Sequence, residues 1–163
     1  MVSYFSGNEL LEIAVGIERN GFAFYQGLAD KTPDEAAKAV YSFLAREEKK
    51  HENMFLGLGG SLPKFEPPES YPGEFMLYLK SLVDSLVFQN LGQAAAATRL
   101  KKDVEAVNRG IQAEKDSILF YGEVAQMVRA ADRGTVTRIL EEEKGHLRQL
   151  AGLKSSILMK SGA

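Results

Sequence analysis

The chain has 163 residues, 45% of them hydrophobic and 26% charged, with a formal net charge of −2. That is enough for one hydrophobic core and short of what two would need, and a near-neutral chain without a Lys/Arg stripe offers no nucleic-acid groove. The absence of cysteine excludes disulfides, zinc–thiolate knuckles and iron–sulfur clusters, and no apolar run approaches the length of a membrane span.

The opening Met1-Val2-Ser3-Tyr4-Phe5-Ser6 has neither the basic nor the hydrophobic part of a signal peptide, so a cytoplasmic protein is expected. In chain order, residues 8–30 place Leu11, Ala14, Glu18, Gly21, Tyr25 and Leu28 at alternating steps of three and four, one face of a first helix. Thr32-Pro33-Asp34-Glu35 reads as a cap, a first-turn proline and acidic residues suited to a helix start. The second helix carries Val40, Leu44, Glu48, His51, Phe55 and Leu58 and stops at Gly57-Leu58-Gly59-Gly60. Pro63, Pro67, Pro68 and Pro72 then forbid regular helix. Between Gly73 and Lys102, Phe75, Leu79, Leu82 and Leu86 predict a short helix, followed by a variable connection through Ala94–Ala97. A third long helix carries Val104, Val107, Ile111, Glu114, Ile118, Tyr121, Ala125 and Val128 on one face. Asp132-Arg133-Gly134-Thr135 reads as its break, and a fourth helix carries Val136, Leu140, Glu143, His146 or Leu147, Leu150, Leu153 and Ile157. The reading is a single all-α domain over residues 1–163: a helix hairpin at 8–58, a crossover at 59–102 and a second hairpin at 103–160. A crossover of that length suits a bundle whose two hairpins are related by a pseudo-twofold axis, because the chain must return along the full bundle between helices two and three.

The polar residues within these stripes repeat. Glu18 precedes Phe24-Tyr25 as Glu114 precedes Phe120-Tyr121, and each half continues to one Glu-x-x-His, Glu48/His51 and Glu143/His146, at an offset of 95 or 96 residues. The chain's only two histidines both fall in this pattern. A single Glu-x-x-His is common on a solvated helix face; two copies at matched spacing, each preceded by an in-phase Glu, are not. Glu47, Glu141 and Glu142 fall out of phase with the apolar stripes and read as surface residues.

Residues three apart on a helix project from neighbouring turns on one side, so each Glu-x-x-His can address one point in the core. Ionised carboxylates are costly to desolvate unless paired or bound to a cation. Four carboxylates and two imidazoles delivered from four helices form the set with which a bundle holds two metal ions, and the nitrogen and oxygen donors suit iron or manganese without excluding zinc. Tyr25 and Tyr121 are placed either to pack in the core or to hydrogen-bond a ligating carboxylate. Phe24 and Phe120 read as packing residues.

The pattern Glu18…Glu48-x-x-His51…Glu114…Glu143-x-x-His146, with Glu-Lys-Asp-Ser-Ile-Leu-Phe-Tyr over residues 114–121, resembles the rubrerythrin branch of the ferritin-like di-iron superfamily over nearly the whole chain. The resemblance implies a ferritin-like up-down four-helix bundle holding two iron ions per chain, manganese or zinc being possible substitutes. Glu48 and Glu143 would bridge the ions, Glu18 and Glu114 would each cap one, and His51 and His146 would complete one coordination sphere each. It implies no catalytic residue beyond these ligands, and an oxidoreductase that reduces peroxide or O2, as a peroxidase or ferroxidase. The alternative is a non-catalytic iron carrier, storage protein or redox sensor. A chain without cysteine lacks the rubredoxin module of rubrerythrins proper, so a separate electron-donor protein such as a rubredoxin is expected, together with a homodimeric state. Rubrerythrin peroxidases carry an extra carboxylate one turn after the third-helix ligand, where Ser117 stands here. The haem-binding Met of bacterioferritin corresponds to Lys49.

Overall fold

Four long helices carry the stripes: α1 (Gly7–Lys31), α2 (Glu35–Gly57), α5 (Asp103–Met127) and α6 (Ala130–Lys160), with α3 (Glu74–Ser85) and α4 (Val87–Asn90) in the crossover. The computed structural model describes residues 7–58, 69–90 and 103–162. The Gly59-Gly60 stop, the prolines at 63, 67 and 68 and the Ala94–Ala97 run lie outside the described residues. The four long helices form a bundle, and no described helix is long and apolar enough to cross a membrane.

Local chemistry sets the helix ends. Asp34, not Thr32, caps α2: its Oδ1 accepts from the backbone N–H of Ala36 (2.9 Å) and Ala37 (3.0 Å), satisfying donors that the first turn leaves without partners. Thr32 stays with α1, its N–H bonded to the Leu28 carbonyl. At the start of α3, Glu69 accepts from the N–H groups of Gly73 and Phe75, and Gly73 takes φ of 89°, a left-handed conformation that suits glycine.

The break between the last two helices lies at Val128-Arg129, upstream of the expected Asp132–Thr135. The Arg129 carbonyl accepts from the N–H of both Asp132 (2.9 Å) and Arg133 (3.1 Å), and the Asp132 carboxylate takes the Arg129 guanidinium at 2.6 Å. Asp132 is therefore a first-turn acid of α6, and Gly134 continues the helix. Arg129 also donates to the Leu58 carbonyl at 3.1 Å, tying this junction to the end of α2.

Pairing order gives the topology. Tyr121 meets Glu18 while Tyr25 meets Glu114, so α1 and α5 run antiparallel. His51 meets Glu143 while Glu48 meets His146, so α2 and α6 do the same. With α1–α2 and α5–α6 as hairpins, α2 and α5 point the same way and the crossover must carry the chain back. Apolar layers close the bundle on both sides of the glutamate level: Phe55 packs on Tyr121 at 4.8 Å on one side, and Tyr25 stacks on Tyr41 at 6.4 Å on the other.

Candidate metal centre

At mid-bundle the apolar stripes stop, and Glu18, Glu48, His51, Glu114, Glu143 and His146 occupy the core, none more than 3% exposed. Every candidate ligand named from the sequence lies in this one cluster. It divides into two overlapping groups, Glu18/Glu48/His51/Glu143 and Glu48/Glu114/Glu143/His146, and within each one donor atom per residue lies within 4.8 Å of all the others. Glu48 and Glu143 belong to both. The imidazoles face each other at 5.4 Å between ring centroids.

Both imidazoles turn Nδ1 inward. Nδ1 of His51 is 2.9 Å from Glu143 Oε1 and 3.7 Å from Glu18 Oε2. Nδ1 of His146 is 3.0 Å from Glu143 Oε2, 3.8 Å from Glu114 and 3.9 Å from Glu48. Three of these buried atoms, Glu18 Oε2, His51 Nδ1 and Glu143 Oε1, have no hydrogen-bond partner: the 2.9 Å approach is close but lacks hydrogen-bond geometry. Buried polar atoms are rarely left this way, and donor atoms converging without partners are what a cation between them would satisfy. The oxygen and imidazole donors suit iron, manganese or zinc.

Charge is unevenly held. Burial, reinforced by the neighbouring carboxylates, pushes Glu48 and Glu114 well above the ordinary carboxylate range. Burial also acts to raise Glu143, but its hydrogen bond to His146 and the positive charge of His51 beside it outweigh that and hold it low. His51 is drawn down by burial and raised further by Glu143 and Glu18, to about 11. Metal-free, the folded cluster therefore keeps protons on Glu48, Glu114 and His51 that the unfolded chain would release, so the stability these groups contribute is lost as pH rises through their raised values. Glu143 has the opposite sign, its contribution being lost at acid pH. Metal binding displaces the retained protons. The expected result is a gap in Tm between metal-loaded and metal-free protein that widens from about pH 5.5 to pH 8, measured by calorimetry; a constant or narrowing gap would contradict the assignment of the protons.

The two tyrosines cross between halves. Tyr25 of α1 donates to Glu114 Oε1 on α5, and Tyr121 of α5 donates to Glu18 Oε1 on α1. Each phenol fixes one oxygen of a carboxylate and leaves the other facing the cluster, which is how an outer partner orients a ligand. Room for Tyr25 comes from Gly110, where an added Cβ would stand 3.2 Å from the Tyr25 hydroxyl and 3.2 Å from Leu150 Cδ1. Gly110→Ala is expected to lower stability by about 1 kcal/mol, crowding outweighing the helix propensity of alanine. Gly152→Ala, exposed and with open space around its Cβ, should raise it by about 0.5–1 kcal/mol. Thermal unfolding of the two variants checks both signs.

Glu142, read from the sequence as surface, belongs to the site. Its carboxylate lies 2.9 Å from His51 Nε2 and is gripped by Lys50 (3.0 Å) and Arg138 (3.1 Å). Burial raises its pKa, but His51, Lys50 and Arg138 bring it down to about 2. With Nε2 engaged there, Nδ1 of His51 faces the cluster, and its lone pair becomes available to a metal once the proton it holds is displaced. Glu47, the equivalent residue before Glu48, binds the same Lys50 at 2.9 Å. The repeat is therefore Glu-Glu-x-x-His, one residue longer than the in-phase pattern revealed.

An antiparallel bundle with a crossover and a central cluster of four glutamates and two histidines defines the ferritin-like class. The chain belongs to the rubrerythrin family, whose profile it matches over residues 9–154. Among solved structures it is similar to a protein of Thermotoga maritima described as a ferritin-like diiron-carboxylate protein, at 23% identity and a TM-score of 0.65, over 95% of this chain and 98% of that one. It is equally similar to a hypothetical protein of Pyrococcus furiosus, at 23% identity and a TM-score of 0.65, over 94% and 91%. No curated protein matches the chain.

Proposed function

We infer that the chain binds two iron ions at the buried cluster and reduces peroxide or dioxygen there. The observation that carries the reading is the pair of four-residue groups sharing Glu48 and Glu143, with three buried donor atoms left without partners. Glu48 and Glu143 would contact both ions, Glu18 and His51 one, Glu114 and His146 the other. A pair of ferrous ions held by these residues would supply the two electrons that, with two protons, take peroxide to water without release of a one-electron radical. The protein's part is to hold the ligands, orient Glu18 and Glu114 through Tyr121 and Tyr25, and keep the surroundings apolar. Without cysteine, the chain depends on a separate electron donor.

Stopped-flow oxidation of the ferrous protein tests the reading. A catalyst consumes many equivalents of peroxide when electrons are supplied; a carrier or storage protein stops after one oxidation per site. Ser117 is buried where related peroxidases place a further carboxylate, so the site is read as symmetrical and without a ligand exchange. Ser117→Glu is expected to raise peroxide turnover, and an unchanged rate would remove that account of the position.

A further inference from the structure

The α1–α5 side of the cluster is covered by the short helix α4, and the way it is held repeats across the two halves. Two residues after Glu18, Asn20 donates to the Phe88 carbonyl. Two residues after Glu114, Asp116 Oδ2 accepts from the Val87 N–H at 3.1 Å, and its other oxygen is fixed by Gln112 at 2.8 Å. This clamp sets the Phe88 ring, 3% exposed, against Phe24 at 5.3 Å and edge-on to Tyr25 at 6.0 Å. Beneath it lies Gly21, one turn after Glu18. The point where a Cβ on Gly21 would stand is 3.1 Å from Phe88 Cε2, 3.0 Å from Glu48 Cδ and 3.1 Å from Glu48 Oε2. The ring edge and the shared carboxylate meet in the space the missing side chain leaves. The opposite, α2–α6 side is closed by charge instead, with Lys50 bridging Glu47 and Glu142. A small neutral oxidant is matched by the apolar side and not by the charged one, where it would have to displace hydrogen-bonded ions.

We propose that Phe88, clamped by Asn20 and Asp116, is a specificity-determining residue that closes the α1–α5 side of the cluster to oxidants larger than hydrogen peroxide or dioxygen. Bulky organic hydroperoxides are excluded by the ring and not by the chemistry at the ligands. The inference rests on the peroxide- or dioxygen-reducing reading of the site.

The test compares ferrous-loaded wild type, Phe88→Ala, Phe88→Leu and the Asn20→Ala/Asp116→Ala double variant. Each is oxidised by hydrogen peroxide and by cumene hydroperoxide in a stopped-flow instrument. Binding of tert-butyl isocyanide to the ferrous protein, followed by its absorption spectrum, gives a readout without turnover. In wild type the cumene hydroperoxide rate should fall below the hydrogen peroxide rate by about 100-fold or more, and Phe88→Ala should shrink that ratio at least about tenfold, leaving the hydrogen peroxide rate within about threefold. Isocyanide should bind the variant and not the wild type. Phe88→Leu and the clamp variant should move the ratio in the same direction by less, and they decide the matter if Phe88→Ala does not fold. An unchanged ratio in variants that hold iron and react with hydrogen peroxide overturns the gate alone. A wild type that holds no iron, or holds it and does not react, overturns the proposed function and the gate with it.

Discussion

Loading the metal-free protein with ferrous iron under anaerobic conditions is expected to raise its Tm by more than about 10 °C. A metal ion present at 1,000 times its dissociation constant stabilises the folded chain by about 4 kcal/mol per site, and each kcal/mol moves the Tm of a chain this size by about 2–4 °C. The size of the effect follows from the cluster itself. Without metal, the six carboxylate and imidazole side chains of the cluster stay buried, held by retained protons and a few internal bonds while three donor atoms stay unsatisfied. A chelator should reverse the shift. Loading that leaves the Tm within a degree or two would mean that the cluster is a self-sufficient hydrogen-bonded network.

Glutamine at the two shared carboxylates should separate their roles, with opposite behaviour in the metal-free protein and the same behaviour in the loaded one. Glu48 is pushed toward its protonated form by burial and by Glu18 and Glu143, and glutamine matches a protonated glutamate in shape. Glu48→Gln should therefore change metal-free stability by less than about 1 kcal/mol. Glu143 is the ionised member, lying 2.9 Å from His51 and 3.0 Å from His146. Glu143→Gln removes the counter-charge on the cluster side of the buried His51 imidazolium, leaving Glu142 at its Nε2, and should cost about 2 kcal/mol or more. In metal binding the two variants converge: each removes a donor common to both groups, so both ions should bind more weakly by over about 100-fold, beyond what losing an outer partner causes. Glu18→Gln and Glu114→Gln, each belonging to one group, should weaken one ion. Calorimetric titration with ferrous iron or cobalt checks the set, and a full-affinity pair of ions in Glu48→Gln would contradict the shared role.

Much of this arrangement was legible in the sequence because helical period is a local property. Apolar steps of three and four mark α1, α2, α5 and α6, and the Glu and His residues that interrupt those steps are the ones the structure brings together in the core. What could not be read depends on contacts between distant residues. Asp34 takes the α2 cap from Thr32 because its carboxylate reaches two backbone donors. The last helix starts before Gly134 because the Arg129 carbonyl and side chain close its first turn. Glu142 falls outside the apolar phase, yet its side chain reaches across to an imidazole on α2. The gaps at Gly21 and Gly110 are filled by Glu48, Phe88 and Tyr25 from other elements, and the α4 clamp joins residues 68 and 29 positions apart. None of these leaves a periodic trace.

The most direct test of the central claim is the number of iron ions bound per chain, measured by plasma mass spectrometry after anaerobic ferrous titration and removal of free metal. The shared cluster predicts two per chain, falling together when Glu48 or Glu143 is replaced. One ion or none at saturation would contradict it.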